Sequence, residues 1–307
     1  MESRLVSIGM PVYNGGEDLR RALDSILAQT HTNFELIISD NASTDELTKA
    51  LTEEYARRDS RIRLTRQPQN RGILANFLWV VDQARGDYFM WAAHDDTWSP
   101  NYVASLAKSL DDAPDAVLAT PRTMIDVATR TGGSFEKVIP PAPNGDRWQT
   151  LDLFLTISGV WIYGLFRTDW IKKTSPEFGK YSVLGDHIWL YGMLLQERVV
   201  GTEEAIYYRT QTQGKYVLST RKKVETLLGV LYHIPRLTWT RLPASERWQG
   251  FRRAFSFIYR RQIRQRNFLG TSLRIAKMTT LLTWFGIDAG IRRMLSPFRH
   301  AVAGRAH

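Results

Sequence analysis

Short apolar runs alternate with amphipathic stretches along the first 120 residues of the chain. Apolar runs at 5–10 and 88–93 have the length of buried strands, and further strands are predicted at 34–38, 62–66 and 116–120. The stretches between them repeat apolar residues at helical spacing, and they lie at 17–27, 43–58, 73–84 and 101–110. Strands that alternate with helices in this way predict βαβ units and a parallel sheet.

Turn-forming residues set two boundaries within this pattern. Pro11 predicts a hard stop to the first strand. Ser43 or Thr44 is the predicted N-cap of the helix that reaches about Arg58.

Beyond residue 120 the pattern is less regular. Residues 130–145 are rich in Gly and Pro and predict a loop. Helices are predicted at 148–157 and 187–196, and strands at 161–166 and 198–208.

The segment after Ser219 differs in charge from the rest of the chain. It carries 18 Lys and Arg against 3 Asp and Glu, whereas residues 1–218 carry 23 basic and 28 acidic groups. Its amphipathic stretches at 246–266 and 271–298 set aromatic residues among basic ones, a composition typical of helices in a membrane interface. A tail that packs on the body with a solvated basic face explains the same pattern, and the sequence leaves both interpretations open.

Composition narrows the class of protein. With 43% hydrophobic and 23% charged residues, the chain of 307 residues has the profile of a globular protein. The absence of cysteine excludes disulfides, thiolate zinc sites and a cysteine nucleophile, and it is compatible with a reducing cytoplasm. We expect neither a signal peptide nor a transmembrane helix, because no apolar run has the required position or length.

Polar clusters follow three of the predicted strands, at 11–14, 39–45 and 94–97. Because the carboxyl ends of parallel strands meet at one sheet edge, these clusters are expected to open on the crevice where α/β sheets bind ligands. The first cluster is suited to border a nucleotide base. Asp40 is suited to accept a hydrogen bond from a base N–H, and Arg71 supplies a cation.

Asp95 and Asp96 are adjacent carboxylates at the end of a buried strand. They repel each other and lose hydration, which is tolerable where a cation or a set of backbone donors lies between them. Oxygen ligands suit Mg²⁺ or Mn²⁺, and such an ion stabilises negative charge on a departing nucleoside diphosphate. The alternative is that the pair caps the helix beginning near Asn101.

Three stretches carry a resemblance to a known family. They read VSIGMPVYNGGEDLRRALDSILAQTHTNFELIISDNASTDE, NRGILANF and GDYFMWAAHDDTWSP. In order, spacing and identity they resemble inverting glycosyltransferase family 2, over roughly residues 4–215. The resemblance implies the GT-A fold, an α/β fold with a Rossmann-like, mostly parallel sheet flanked by helices. It also implies a domain at 1–218, with a nucleotide-binding half at 1–120 and an acceptor-binding half at 121–218, followed by a basic helical region at 219–307.

The implied activity is transfer of one sugar from a nucleoside-diphosphate sugar to a hydroxyl of a glycan or lipid-linked acceptor, assisted by Mg²⁺ or Mn²⁺. The implied donor contacts are Pro11, Val12, Tyr13, Asn14, Asp40, Asn70, Arg71 and Asp95. The implied metal ligands are Asp95 and Asp96. The chain departs from the family at Ala93, where many members carry a further Asp, and this departure bears on ribose contact and metal affinity.

An inverting transfer needs a general base to take the proton of the acceptor hydroxyl. The family places this carboxylate at the start of a helix, and Gly185-Asp186-His187 matches in position, with Gly185 where Glu is frequent. The resemblance therefore implies Asp186 as the base. The alternative is that Asp186 only caps its helix.

Several residues near these carboxylates are candidates for acceptor or diphosphate contacts. Trp161 and Trp189 suit a sugar platform but also suit a core. His187 is expected to orient or support its neighbours rather than catalyse. Arg209 and Lys215 lie on a predicted loop from which a positively charged side chain is expected to contact the diphosphate.

Further predictions concern the number of sugars transferred, the cellular location of the protein and the main alternative function. The Gln-x-x-Arg-Trp signature of processive family members is absent, so a one-sugar transferase is favoured. We expect a cytoplasmic enzyme of cell-surface polysaccharide or glycolipid synthesis, held on the inner face of the cytoplasmic membrane by the contact of 219–307 with anionic lipid. A degenerate GT-A fold that only binds nucleotide or glycan is the main alternative.

Two other classes fit less well. A nucleotidyltransferase is expected to carry a basic Gly-rich loop after the first strand, and the corresponding residues 15–18 are acidic. A nucleic-acid binder would explain the basic tail but not the clustered carboxylates, which repel phosphates, so no nucleic-acid partner is expected.

Overall fold

The computed structural model describes residues 3–128, 134–157, 159–180, 185–212 and 232–258. Lys215 and the predicted amphipathic stretch at 271–298 lie outside the described residues.

The first 91 residues alternate strands and helices as predicted. The strands are β1 (Val6–Val12), β2 (Phe34–Asp40), β3 (Ile62–Arg66) and β4 (Tyr88–Trp91). The helices are α1 (Gly16–Leu27), α2 (Glu46–Arg58) and α3 (Ile73–Asp82). All pairings here are parallel and give the order β3-β2-β1-β4, with β1 and β2 buried along their whole length. The polar ends of these strands therefore meet at one edge.

Pro11 does not end the first strand. β1 continues to Val12, and its last two residues pair with Ser39 and Asp40 of β2. The pairing of β1 with β4 stops at Gly9, so on that side the missing N–H of Pro11 costs no ladder bond.

The cap of α2 also differs from the prediction. Asp45 is the N-cap, and its side chain accepts a hydrogen bond from the Thr48 backbone N–H at 2.7 Å. Ser43 and Thr44 instead bind Asn14 in the neighbouring loop.

The second half adds β5 (Thr97–Trp98), α4 (Tyr102–Asp111), β6 (Ala116–Ala128), β7 (Ser134–Ile139), α5 (Arg147–Thr156), β8 (Leu165–Arg167), α6 (Thr168–Thr174), α7 (Gly185–Leu194) and β9 (Arg198–Thr212). In the described residues the sheet runs β3-β2-β1-β4-β8-β6-β9-β5, with β7 beside β6. β6 and β9 pair in parallel, whereas β8, β7 and β5 make antiparallel contacts. One mixed sheet thus joins the two halves.

Two elements differ from the sequence predictions. The predicted loop at 130–145 contains β7, whose residues are almost all exposed, so no apolar run marked it as a strand. The predicted strand at 161–166 is a 3₁₀-helix (Gly159–Tyr163) followed by β8. A short buried apolar run does not by itself distinguish these conformations.

Helices α8 (232–241) and α9 (Arg247–Ile258) pack on the body of the protein. Ile234 and Leu237 of α8, Ala254 of α9 and Leu242 of the connection between them belong to the same hydrophobic core as the sheet, and Phe251 is also buried. Of the two interpretations of the basic region, packing on the body therefore applies to 232–258. No helix within the described parts of the chain is long and apolar enough to cross a bilayer.

Candidate active site

Asp95 and Asp96 lie in the turn between β4 and β5. Asp96 is only 4% exposed, and its Oδ2 accepts a hydrogen bond from the Tyr207 hydroxyl. Burial raises the pKa of Asp96 to about 6, and the charge of Asp95 adds to the rise, although the hydrogen bond from Tyr207 opposes it. Neither carboxylate caps α4, whose N-cap is Asn101, so the capping alternative is wrong.

The donor set fits a cation that is completed by its substrate. Among the described residues, no group of three or more His, Cys, Asp and Glu side chains is arranged to hold a metal ion. The two adjacent carboxylates, one partly exposed and one buried, instead match the one or two carboxylates with which Mg²⁺ is commonly held, its other ligands being water and phosphate oxygens.

A cleft of about 460 Å³ opens beside this pair. Arg21 of α1, Asp126 of β6 and Glu136 of β7 line it. Asp126 and Glu136 are directly opposite in the β6–β7 ladder, so one wall is negatively charged. These three residues were missed from the sequence, because the register of β7 and the exposed face of α1 carry no local signal of a site.

Arg209 affects the electrostatics of both the carboxylate pair and the predicted base. It lies on β9, two residues after Tyr207, and it lines the cleft together with Asp95 and Asp96. Its positive charge lowers the pKa of both Asp96 and Asp186, partly offsetting the larger effect of burial in each. The guanidinium is therefore within electrostatic reach of both carboxyl groups.

Asp186 is the second residue of α7 as the structure describes it. It lies in the first turn rather than before it, and its Oδ1 accepts a hydrogen bond from the His187 backbone N–H at 2.7 Å. Burial raises the pKa of Asp186, although backbone hydrogen bonds oppose this. A Cβ on Gly159 would lie 3.2 Å from Oδ2 of Asp186, so this glycine leaves space beside the carboxylate. A partly buried carboxylate with a raised pKa is suited to proton transfer.

The loops after β1 and β2 are joined by Asn14, the residue after Tyr13. It adopts φ +51°, and its Oδ1 accepts from the Thr44 backbone N–H at 2.9 Å. Its own backbone N–H donates to Ser43 Oγ at 2.9 Å. Tyr13 is 42% exposed and Pro11 and Val12 are buried, so of this cluster Tyr13 offers the open ring.

Asn41 joins the loops after β2 and β3. Its side chain is buried and donates to Asn70 Oδ1 at 3.0 Å, while its Oδ1 accepts from the Arg71 backbone N–H at 2.8 Å. The predicted donor residues Asn70 and Arg71 are themselves exposed. The role of Asn41 was missed, since an Asn after a strand does not reveal partners 29 or 30 positions away.

Asp40 has structural contacts that the sequence did not predict. It is 1% exposed, accepts from the Ser43 backbone N–H at 2.8 Å and pairs with Arg66 at 2.9 Å. These contacts fix the loop after β2. A hydrogen bond from a base N–H to Asp40 stays a prediction.

The aromatic residues predicted as possible acceptor contacts are buried in the core. Trp161 and Trp189 are 0% and 3% exposed, so they do not form an open sugar platform. His187 is buried and stacks on Phe154 with ring centroids 4.4 Å apart, which fits the predicted supporting role. Trp189 and His187 pack in the interior rather than face a substrate, because α7 is buried along most of its length.

Comparison with known sequences gives one family. A model described as Glycosyl transferase family 2 matches residues 7–168. An uncharacterised glycosyltransferase of Rickettsia typhi is 32% identical over 126 residues, which cover 40% of this chain and 38% of that protein. The putative glycosyltransferase EpsH of Bacillus subtilis is 32% identical over 118 residues, which cover 38% of this chain and 34% of that protein. The chain thus spans less than two fifths of the length of these curated relatives.

Solved structures share the fold. S. aureus TarS 1-349 has a TM-score of 0.63 at 16% identity, covering 84% of this chain and 72% of that one. The same protein in complex with UDP-GlcNAc has a TM-score of 0.60 at 17% identity, covering 88% and 77%. GalNAc-T7 with UDP, GalNAc and Mn²⁺ has a TM-score of 0.55 at 14% identity, covering 85% and 57%. These similarities confirm the predicted α/β fold of GT-A type.

Proposed function

Because the chain belongs to glycosyl transferase family 2, we propose that it transfers one sugar from a nucleoside-diphosphate sugar to a hydroxyl group of an acceptor, with inversion at the anomeric carbon. The observation that carries the proposal is the position of Arg209, within electrostatic reach of both the Asp95–Asp96 pair and Asp186. A diphosphate needs cations around it, and an attacking hydroxyl needs a base, so this arrangement supports both requirements of the reaction.

The donor is proposed to lie at the edge formed by the loops after β1, β2 and β3. Tyr13 stacks on or borders the base, and the loops organised by Asn14 and Asn41 hold the nucleoside. UDP complexes of TarS and GalNAc-T7 make UDP the first nucleotide to test.

Asp95 and Asp96 are proposed to hold a divalent cation, Mg²⁺ or Mn²⁺. When bound, such an ion neutralises charge on the departing diphosphate. Arg209 adds a fixed positive charge on the same side of the cleft. Its partly buried position strengthens that interaction, because fewer water molecules screen it.

Asp186 is proposed as the general base. Its carboxylate takes the proton of the acceptor hydroxyl as that oxygen bonds to the anomeric carbon and the bond to the diphosphate oxygen breaks. Burial raises the pKa of Asp186 and so makes its ionised form a stronger base. The acceptor is proposed to be a glycan or a lipid-linked sugar of cell-surface polysaccharide or glycolipid synthesis.

An anionic membrane surface is the proposed partner of the C-terminal region, with the enzyme on the inner face of the cytoplasmic membrane. Residues 259–307 carry ten Lys and Arg against one Asp. Since Phe251 and Phe255 of α9 are buried against the body, lipid contact is assigned to the residues after 258.

The test is calorimetric titration of nucleoside diphosphates with and without Mn²⁺ against the wild type, Asp95→Asn and a control, Asp112→Asn, which removes an exposed carboxylate paired with Lys108. Metal-dependent binding of one nucleotide that is lost only in Asp95→Asn supports the proposal. Absence of nucleotide binding by the wild type contradicts it.

A catalytically degenerate binding protein is the second candidate, favoured by Ala93 in place of the family's first Asp. Nucleotide binding is expected of both the transferase and the binding protein, so it does not distinguish them. The decisive measurement is release of UDP from UDP sugars. Metal-dependent binding without any release, with or without acceptor glycans, would favour the binding protein.

A further inference from the structure

We propose that Tyr207 is a positioning residue that fixes the Asp96 carboxylate for cation binding, and that β9 thereby forms part of the cation site. This inference rests on the proposed function. It concerns a residue 111 positions away from Asp96, outside every motif of the nucleotide-binding half.

The contact itself is buried on both sides. Tyr207 is 0% exposed and Asp96 is 4% exposed. The hydroxyl donates to Oδ2 of Asp96, whereas no described residue donates to Oδ1. Water therefore does not replace the hydroxyl readily, and the hydrogen bond selects one orientation of the carboxylate.

Backbone pairing holds the two residues in register. β5, which begins directly after Asp96, pairs with β9 so that Trp98 is opposite Tyr207. The Ser99 backbone N–H donates to Ile206 O at 2.9 Å, and the Ile206 backbone N–H donates to Ser99 Oγ at 3.1 Å. The turn that carries Asp96 is thus attached to β9 immediately beyond the carboxylate.

Aromatic packing fixes the ring of Tyr207. It stacks on Trp98 with centroids 6.1 Å apart and contacts Tyr163 with centroids 5.0 Å apart. Trp98 lies within the core and Tyr163 packs against it, so the ring has little freedom to withdraw its hydroxyl.

The two carboxylates are therefore held differently. Asp95 is partly exposed at the cleft, whereas Asp96 is buried and oriented by Tyr207. A partner that orients a metal-binding carboxylate typically contributes about 10- to 100-fold to metal affinity. We assign that contribution to the Tyr207 hydroxyl.

The test compares Tyr207→Phe with Tyr102→Phe in the full chain. Tyr102→Phe is a matched control, because its hydroxyl belongs to the same aromatic cluster but donates to the backbone O of Tyr163 at 2.8 Å. The measurement is the Kd of Mn²⁺ in the presence of saturating UDP, from the electron paramagnetic resonance signal of free Mn²⁺. UDP binding without metal and thermal unfolding of each variant are measured alongside.

We expect the Mn²⁺ Kd of Tyr207→Phe to rise about 10- to 100-fold, with UDP binding in the absence of metal unchanged. Tyr102→Phe should stay within about twofold of the wild type, since its hydroxyl does not touch Asp96. Raising the Mn²⁺ concentration should restore the kcat of Tyr207→Phe, which a merely structural defect would not allow.

The variant Asp96→Asn distinguishes failure of the positioning role of Tyr207 from failure of the metal assignment of Asp96. If Asp96→Asn weakens Mn²⁺ binding and Tyr207→Phe does not, the positioning role of Tyr207 is overturned and the metal assignment stands. If neither variant changes Mn²⁺ binding, or the wild type binds none, the metal assignment of Asp96 is overturned, and this inference with it.

Discussion

Arg241 of α8 donates a hydrogen bond to the Glu177 carboxylate at 2.6 Å. Glu177 lies in the 3₁₀-helix Ser175–Lys180, nine positions before Asp186. Burial alone would raise the pKa of Glu177, but the Arg241 guanidinium lowers it overall. A Cβ on Gly192 of α7 would lie 3.1 Å from Nη1 of Arg241, so the same side chain also packs on the helix that carries the proposed base.

Arg241→Ala is therefore expected to disturb the proposed base from a distance. We expect a loss of about 1 kcal/mol in the free energy of unfolding, the upper range for a partly exposed ion pair. We expect kcat to fall by up to about 100-fold because a small displacement of a catalytic group is costly, while the affinity for UDP stays unchanged. Urea unfolding, steady-state kinetics and UDP titration measure the three quantities.

Arg252→Ala is the control for this prediction, since Arg252 is exposed on α9. It should leave kcat unchanged. A loss of stability in Arg241→Ala without any loss of kcat would show that α8 supports the fold but not the orientation of α7.

Gly159→Ala should impair the base directly. The added methyl group would lie 3.2 Å from Oδ2 of Asp186, so the carboxylate has to shift by a few tenths of an ångström. We expect kcat to decrease and UDP binding to stay as in the wild type. Gly179→Ala introduces a contact of the same 3.2 Å length with the side chain of Leu74 and should preserve kcat. Equal kinetics of the two variants would argue against Asp186 as the base.

The pH dependence of the reaction should report the ionisation of Asp186. Because burial raises its pKa above the ordinary value of 3.8, the rate should fall on acidification at a pH above that value, as the base becomes protonated. Arg209→Gln removes a charge that lowers this pKa, so the acidic limb should move to higher pH. The profile of kcat/KM at saturating Mn²⁺ tests the direction, and a shift toward lower pH would contradict it.

Asp186→Asn should lose about 10²- to 10⁴-fold in kcat.

Asn41→Ala should weaken donor binding without changing the chemical step. The substitution leaves the Arg71 backbone N–H and the Asn70 side chain without the partner that joins their loop to β2. We expect the Kd of UDP to rise about tenfold, equivalent to ~1.4 kcal/mol, with kcat at saturating donor preserved. Asn101→Ala is the comparison, because Asn101 donates to Ser105 Oγ and to the backbone O of Glu204, neither of which belongs to the loops after β1, β2 and β3. A similar loss in both variants would show general destabilisation.

Binding to anionic lipid should depend on the arginines after α9. A full-length variant with Arg260, Arg261, Arg264 and Arg266 changed to Gln should bind phosphatidylglycerol vesicles more weakly, by about 1 kcal/mol for each charge near the surface. Sedimentation with these vesicles, and with neutral ones, measures the effect. Gln substitutions at Arg57 and Arg58 of α2 remove charge elsewhere and should not change binding. Equal binding of all variants would remove the membrane from the proposed partners.

The first half of the fold was predictable because short strands, most of them rich in apolar residues, alternate there with helices. β1 and β2 are buried at every position, so composition alone marks them as strands of a covered parallel sheet. β7 has an exposed surface instead, and its place beside β6 depends on pairing that no local pattern encodes. For the same reason the sequence did not distinguish the 3₁₀-helix at Gly159–Tyr163 from a strand.

The candidate site was predictable in its charged residues and not in their supports. Asp95, Asp96 and Asp186 were identified from motifs or position relative to predicted elements, and Arg209 lines the cleft with the first two and lowers the pKa of Asp186. Tyr207, Gly159 and Asn41 act through contacts between segments that are distant in sequence. Trp161 and Trp189 were ambiguous because an aromatic residue suits a core and a sugar surface equally well, and burial decides between them.

The proposed donor loops and the proposed base lie in separate stretches of the chain. Every loop assigned to the donor precedes residue 100, whereas the proposed base and Arg209 follow residue 180. If these assignments hold, mutations that alter the acceptor would fall in a stretch of sequence different from those that alter the nucleotide. Such a protein could then acquire new acceptors by divergence or recombination downstream of α4 while its donor loops are inherited unchanged, and β9, which reaches back to Asp96, is the part of the downstream stretch that such changes would have to preserve.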